Sequence, residues 1–448
     1  MPPTTVSAPA ALPARTDAEI DHLYRYWRVR VMYAMMIGYA TFYFVRNNMA
    51  MATKPITDEF HYTNAQWGSV LGAATIVYGI SKFLSGVLAD IIKPKYIMAL
   101  GLCVSALASI LFGFGHSLSF FMVVWIINNL FQGMRMTPCS RLITFWYSPR
   151  ELGRAWGIWN ASHQIGGAII YIVAGYLVAK FGWRSAFWIP GGFALGVSFW
   201  LLNRLPHSPE SMGLPPVEAY KNDGAVTESV LGTTRSTPLK VAAKTVHWEN
   251  FRDNILTNRW VWVVSIGNFF VYVVRIGILS WGPKYLQEAK GFSIGQSAWT
   301  GSAFEIAGIF GAYGAGWLSD KTFKGRRGPV SVLFLLLLTA TVLGLLVVPH
   351  GNVAAVVGVF ALLGFFVYGP QLLVAVAAAD FATKKASATA VGLTGLFGYI
   401  GASVCSIVTG KLADQFGWDA VIWFYVGSAI VGALLLATTW NKRSPLLA

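Results

Sequence analysis

Apolar runs recur along the chain, each about as long as a membrane-crossing helix and each closed by charged or turn-forming residues. They predict spans over 29–52, 67–89, 96–115, 119–141, 155–179, 185–203, 260–282, 297–318, 330–349, 354–379, 388–410 and 420–440, since about 20 predominantly apolar residues carry a helix across the hydrocarbon core. The expected fold is an all-α polytopic membrane protein of twelve transmembrane helices in two six-helix halves. Between 204 and 259 the pattern lapses into Pro, Ser, Thr, Lys and Glu, as in SPESMGLPPVEAYKNDG and TTRSTPLK. That is the composition of a linker with room for one interfacial helix. The expected organisation is a tail at 1–28, an N-terminal half at 29–203, the linker at 204–259, a C-terminal half at 260–440 and a tail at 441–448.

Composition agrees. Of 448 residues 55% are hydrophobic and only 12% charged, against roughly 25% charged in a soluble domain. The net charge of +15 would suit nucleic acid, but the basic residues gather in short segments between apolar runs, where they set orientation instead. Arg25, Arg28 and Arg30, Lys93 and Lys95, Arg141, Arg150 and Arg154, Lys321, Lys324, Arg326 and Arg327, Lys384 and Lys385, and Lys442 and Arg443 all fall on one side. Both termini are therefore expected in the cytoplasm, with the bilayer as partner and no nucleic acid. Residues 1–19 lack a basic segment followed by an apolar core, so no cleavable signal is expected. Cys103, Cys139 and Cys405 lie in or beside apolar runs without metal spacing. No nucleophile constellation, metal cluster or phosphate-loop motif is present, so neither an enzyme nor a cofactor or metal is expected.

The halves repeat. Arg46 and Arg275 each stand 16 positions after another arginine, Arg30 and Arg259, and lie 229 residues apart. Gly86-Val-Leu-Ala-Asp90 recurs as Gly316-Trp-Leu-Ser-Asp320, and Phe181-Gly-Trp183 as Phe416-Gly-Trp418. Equal halves in one order at nearly one spacing are the architecture of a rocking transporter whose substrate binds between them.

A guanidinium near the centre of a transmembrane helix costs ~2.5–3.5 kcal/mol on translocon scales, so it is normally tied to a pathway or ligand. Two related by internal symmetry imply an anion. At 1.5 Å per residue each lies about 24 Å along its helix from the earlier arginine, at a common depth. For either alone, a side chain snorkelling to the interface is the plain alternative. Tyr39, Phe42, Tyr43 and Arg46 share one helical face, and Tyr272 with Arg275 repeats the Tyr43/Arg46 spacing. The planar fork of arginine with tyrosine hydroxyls suits a phosphate ester, although an aromatic stripe also packs cores. His163, after Trp159 and Asn160, is either a satisfied packing residue or a group that bonds substrate and follows its proton, since imidazole ionises near pH 6.5. Lys82 either snorkels, pairs structurally or adds to the cavity potential. Glu305 either bonds a neighbouring helix or offsets positive charge, and Tyr368 and Tyr399 are candidate cavity residues.

Gly316-x-x-x-Asp320-Lys-x-x-x-Gly-Arg-Arg327 resembles the loop signature of the major facilitator superfamily. Asp320, with Arg326 and Arg327, reads as a charge latch that biases conformation without touching substrate, and Asp90 is its first-half counterpart. A closer resemblance rests on Gly38-Tyr-Ala-Thr-Phe-Tyr-Phe-Val-Arg46-Asn-Asn48, Tyr78-Gly-Ile-Ser-Lys82-Phe, Phe131-Gln-Gly133, Trp159-Asn160-Ala-Ser-His163, Tyr272-Val-Val-Arg275 and Tyr368-Gly-Pro370. Together these are similar to the organophosphate:phosphate antiporters, which include glycerol-3-phosphate, hexose-6-phosphate and phosphoglycerate carriers and a hexose-phosphate sensor. The likeness runs from about residue 20 to 440. It implies phosphate held by Arg46 and Arg275 with His163 as a third contact. It also implies exchange with inorganic phosphate by alternating access, and a monomer in a bacterial inner membrane.

Departures blur the organic half of the substrate. The glycerol-phosphate carriers have Lys and Asp where this chain has Asn47 and Ser280, so a probable ion pair is neutral at both ends; the Asn is shared with phosphoglycerate carriers. Arg135 stands where relatives have a small residue. It either faces the interface, pairs with Glu305, or serves a second anionic group such as a carboxylate. The run Gly392-Leu-Thr394-Gly-Leu-Phe-Gly-Tyr399 is similar to glycerol-phosphate carriers, whereas Gln371-Leu-Leu and Tyr24-Arg-Tyr-Trp27 are similar to hexose-phosphate carriers and the sensor. A sensor signalling to a membrane histidine kinase is the main rival to transport, and a facilitator for a non-phosphate anion the third reading.

Overall fold

A computed structural model describes residues 16–221, 257–349, 351–382 and 386–442, with backbone alone at 83, 86–91 and 388. The predicted linker therefore lies largely outside the described residues, as do Lys384, Lys385 and Arg443. The side chain of Asp90 falls outside them too.

Among the described residues thirteen helices form the twelve spans, and a fourteenth, of one turn, lies outside them. The first span is α1 (Asp17–Phe44) and α2 (Asn48–Glu59). Helix α1 starts well before its apolar run because Thr16 and Glu19 make a capping box. It stops at a turn where the Arg46 and Asn47 N–H groups both reach the Tyr43 carbonyl, at 3.2 and 2.9 Å. Backbone groups at a break inside an apolar bundle need partners from neighbouring helices. Here Gln132 donates to the Phe42 carbonyl at 2.9 Å and Asn128 to the Val45 carbonyl at 3.1 Å. Arg46 is thus on a braced turn rather than inside a continuous helix.

Next come α3 (Asn64–Ile91), α4 (Pro94–Phe112), α5 (Leu118–Gln132) and α6 (Met136–Trp146). The last two make one span, joined by a single 3-10 turn over Gly133–Arg135. Glycine is required there, since a Cβ on Gly133 would lie 2.5 Å from Ser81 Oγ and 2.7 Å from the Lys82 backbone nitrogen. Helices α7 (Leu152–Phe181) and α8 (Ser185–Arg204) complete the half, and the one-turn α9 (Val217–Tyr220) docks back on α1 by stacking Tyr220 on Tyr24. The second half is α10 (Arg259–Ala289), α11 (Ile294–Lys321), α12 (Arg327–Val347), α13 (Val353–Phe381) and α14 (Ser387–Ala437), the last holding two spans around Gly417. Seven helices among the described residues are long and apolar enough to cross a membrane alone. The other spans are interrupted or diluted by small and polar residues.

The Phe-Gly-Trp repeat has a structural cause. Gly182 and Gly417 take φ of 80° and 78°, open to glycine at little cost, and turn each chain so that the tryptophan meets the end of its half's first span. Trp183 donates to Glu59 at 2.7 Å and Trp418 to Glu288 at 3.0 Å. These glutamates are 229 residues apart, the spacing of the two arginines. Hydrogen bonding from Arg184 holds the Glu59 carboxyl below its usual range.

Between the halves, α3 packs on α14, α7 on α11 and α2 on α10. Small residues permit close approach: a Cβ on Gly68 would lie 2.5 Å from the Ser406 carbonyl oxygen, and one on Gly410 2.2 Å from that of Asn64. At the end remote from the termini the halves are tied together. Asp414 accepts from the Asn64 N–H, the Asn64 side-chain amide and the Ala65 N–H at 3.0, 2.8 and 2.7 Å. Lys284 donates to Thr57 at 2.7 Å, and Tyr171 to the Leu279 carbonyl at 2.6 Å.

Candidate functional site

A cavity of about 260 Å³ lies between the halves. Its lining brings together Arg46, Lys82, Arg135, His163 and Arg275 with Tyr39, Tyr43, Tyr272, Tyr368, Tyr399, Trp159 and Asn160. Every substrate-binding residue expected from the sequence is in this one wall. Lining residues continue to Trp156 near the start of α7 and Val391 near the start of α14, so the cavity reaches toward the end that carries the termini. At that end Tyr313 reaches the Gly157 carbonyl at 3.1 Å on the outer edge.

The cations are held by rings. The Arg46 guanidinium carbon lies 4.3 Å from the Tyr78 ring centre, and that of Arg135 lies 4.2 Å from Tyr43 and 5.3 Å from the same Tyr78. Arg275 lies 4.8 Å from Tyr368 and 5.6 Å from Tyr272, and the Lys82 ammonium 5.4 Å from Tyr399. Stacking on a ring face keeps the planar fork free for an anion. Arg46 makes none of the ion pairs or side-chain hydrogen bonds among the described residues. Buried Arg275 donates to Tyr368 Oη at 3.3 Å and leaves its Nε unpartnered.

Glu305 stands behind this wall. Fully buried on α11, it accepts from the Tyr368 hydroxyl at 2.5 Å, so Arg275, Tyr368 and Glu305 form a relay from the cavity into the second half. It therefore bonds a neighbouring helix, one of the two roles that the sequence left open, and its Oε1 has no partner among the described residues. His163 Nδ1 is bonded to the Asn160 carbonyl. A carbonyl only accepts, so Nδ1 carries the hydrogen and Nε2 of the neutral ring is an acceptor. The ring lies 6.0 Å from Tyr43 and 6.0 Å from Tyr368, one on each half.

Arg135 neither reaches the interface nor pairs with Glu305. It is 2% exposed, donates to Tyr43 Oη at 3.1 Å and to Gln132 Oε1 at 3.2 Å, and keeps an unpartnered Nε. Asn47 and Ser280 share a second, smaller cavity of about 50 Å³ with Arg46, toward the remote end. The two neutral positions are thus neighbours across the halves. In the loop signature Arg327 bonds Asp320 at 2.5 Å and Asp380 at 3.4 Å, all within the second half. Arg326 makes none of the ion pairs among the described residues.

Sequence reasoning passed over Tyr78, which lies under two arginines, and Asn268 and Gln371, which also line the cavity. A signal existed: Tyr78 stands one turn before Lys82, Asn268 one turn before Tyr272, and Gln371 three residues after Tyr368.

Comparison with known proteins places the chain in a family. The sequence profile of the Major Facilitator Superfamily matches residues 35–405. A probable hexose phosphate transport protein of Chlamydia pneumoniae is 39% identical over 93% of this chain and 92% of its own length. A glycerol-3-phosphate transporter of Bacillus subtilis (strain 168) is 37% identical over 95% of each. The membrane sensor protein UhpC of Escherichia coli (strain K12) is 36% identical over 98% of each. A bacterial homologue of the human lysosomal transporter Spinster, solved inward-facing and unoccupied, matches with a TM-score of 0.71 over 92% of this chain and 95% of its own, at 18% identity, a likeness of fold alone. With twelve spans in two halves around a cation-lined cavity, the chain is an integral membrane protein rather than an enzyme, and it belongs to the Major Facilitator Superfamily, among the relatives of organophosphate transporters.

Proposed function

We propose that this protein exchanges a small organophosphate for inorganic phosphate by alternating access, as a monomer in a bacterial inner membrane with both termini cytoplasmic. The observation that carries the reading is the placing of Arg46 and Arg275, one on each half, in a single cavity whose lining contains no carboxylate among the described residues. Two such charges repel at short range, by ~4 kcal/mol at 4 Å and an effective dielectric constant near 20, and a dianion between them reverses the sign. Closure around the cavity then needs a phosphate, whether inorganic or esterified, and an empty carrier rocks slowly. That is the kinetic requirement for exchange. Names of relatives support a phosphate ester as cargo.

Proteoliposomes loaded with inorganic phosphate test this. External glycerol 3-phosphate or glucose 6-phosphate should drive phosphate efflux, whereas efflux into phosphate-free buffer should be slow. Equal efflux in both would count against coupling. The sensor reading is favoured by near full-length similarity to a sensor protein; it predicts tight binding of a sugar phosphate with no flux.

The tied remote end supports a state open toward the termini. In Asp414→Ala the N terminus of α3 loses a carboxylate cap worth about 1 kcal/mol, so the open-to-shut ratio at that end should rise roughly fivefold. A cysteine placed at Ser280 should then react correspondingly faster with a membrane-impermeant thiol reagent added from that side. An unchanged rate would remove Asp414 from the gate.

A further inference from the structure

Four cations face the cavity and Glu305 alone stands behind it, a surplus of three positive charges among the described residues. A phosphate monoester carries about −1.5 to −2 near neutral pH, so phosphate alone leaves positive charge in the site. Arg135 is the cation that phosphate at Arg46 and Arg275 does not explain. It stacks on Tyr43 and Tyr39 at 4.2 and 5.2 Å, rings that precede Arg46 on α1 by one and two turns. Arg46 and Arg135 share the Tyr78 ring, so the second guanidinium is offset from the first toward the termini. The offset suits the far end of a short carbon chain whose phosphate rests on Arg46.

The turn over Gly133–Arg135 delivers this side chain, and burying a guanidinium without a carboxylate partner is costly unless an anion completes the site. Its Nε lacks a partner, as does the Nε of Arg275. Among the described residues the cavity lining holds no carboxylate. We propose that Arg135, with Tyr39 and Tyr43, forms a second anion subsite, so that the preferred cargo is a phosphate ester bearing a carboxylate. This rests on the phosphate reading above.

The test measures dissociation constants of 3-phosphoglycerate and glycerol 3-phosphate by calorimetry on the purified full-length protein. These esters differ by a carboxylate in place of a hydroxymethyl group. Wild type should bind the carboxylated ester at least about tenfold more tightly, and Arg135→Gln should bring the ratio near one. Arg135→Lys should keep only part of the preference, because it keeps the charge but loses the fork. A ratio in Arg135→Gln equal to that of wild type would overturn the subsite, as would equal weakening of both ligands, the signature of a merely structural cation. Should Arg135→Gln fail to fold, Arg135→Lys decides, and a preference undiminished from wild type in it sinks the proposal. Wild type that binds neither ester would sink the phosphate reading itself. Wild type that binds both equally sinks only the subsite.

Discussion

Arg46→Lys and Arg275→Lys should each abolish phosphate exchange in proteoliposomes while leaving a folded protein in the membrane. Both substitutions preserve charge, so net electrostatic attraction survives; what disappears is the planar fork. Arginine presents parallel donors to two phosphate oxygens, whereas lysine offers a point charge on a flexible stem. Each hydrogen bond to a charged group is worth about 1.5–3 kcal/mol, so one lost contact costs roughly tenfold to more than hundredfold. The loss falls on the closed state, where the anion has to bridge both halves, and so it lowers the rate more than the initial binding. Arg46 should be the more sensitive, because among the described residues its fork has no hydrogen-bond partner and rests on the face of Tyr78. At position 275 a lysine would also abandon the hydroxyl of Tyr368, now 3.3 Å from the guanidinium. Radiolabelled phosphate counterflow is the measurement. Near wild-type exchange in either variant would mean that the arginines supply potential only, and the bridging mechanism would fall.

How much of this was legible in the sequence depends on how local each feature is. The arginines stand out because a charge within an apolar run is expensive, and the tyrosine face because spacing of three and four residues survives as helix geometry. The bracing of Arg46 could not be read that way. Neither Pro nor Gly marks the turn at 45–47, and its carbonyls are satisfied by Asn128 and Gln132, some 80 to 90 positions away. Arg135 turned inward for an equally distant reason, the approach of Gly133 to α3. The repeat was legible in Phe-Gly-Trp, but its partners Glu59 and Glu288 lie past the apolar runs that revealed the spans. For the loop signature, the pair of Asp320 and Arg327 follows from sequence proximity, whereas the additional bond to Asp380 requires α13 to be placed first.

Gly364→Ala should cut exchange roughly hundredfold although it adds one methyl group far from any phosphate. Helices α11 and α13 touch backbone to backbone: a Cβ on Gly364 would lie 2.0 Å from the Phe304 carbonyl oxygen, and one on Gly311 1.9 Å from that of Phe365. Neither obstacle is a side chain that can rotate away, so the helices have to separate by about 1 Å, at a cost of about 1–3 kcal/mol. Phe304 immediately precedes Glu305, and Gly364 lies one turn before Tyr368. The displacement therefore falls on the 2.5 Å bond that joins these residues. Stretching it leaves a buried carboxylate unpartnered and lets Tyr368 and Arg275 drift from the cavity, and a 1 Å misplacement of binding groups is worth about a hundredfold in rate. Gly358→Ala on the same helix is the control, since nothing lies within 4 Å of a Cβ there. It should lower neither melting temperature nor exchange. Wild-type exchange in Gly364→Ala would show that the spacing of α11 and α13 does not govern the Arg275 side of the site, and the relay through Tyr368 would lose its role.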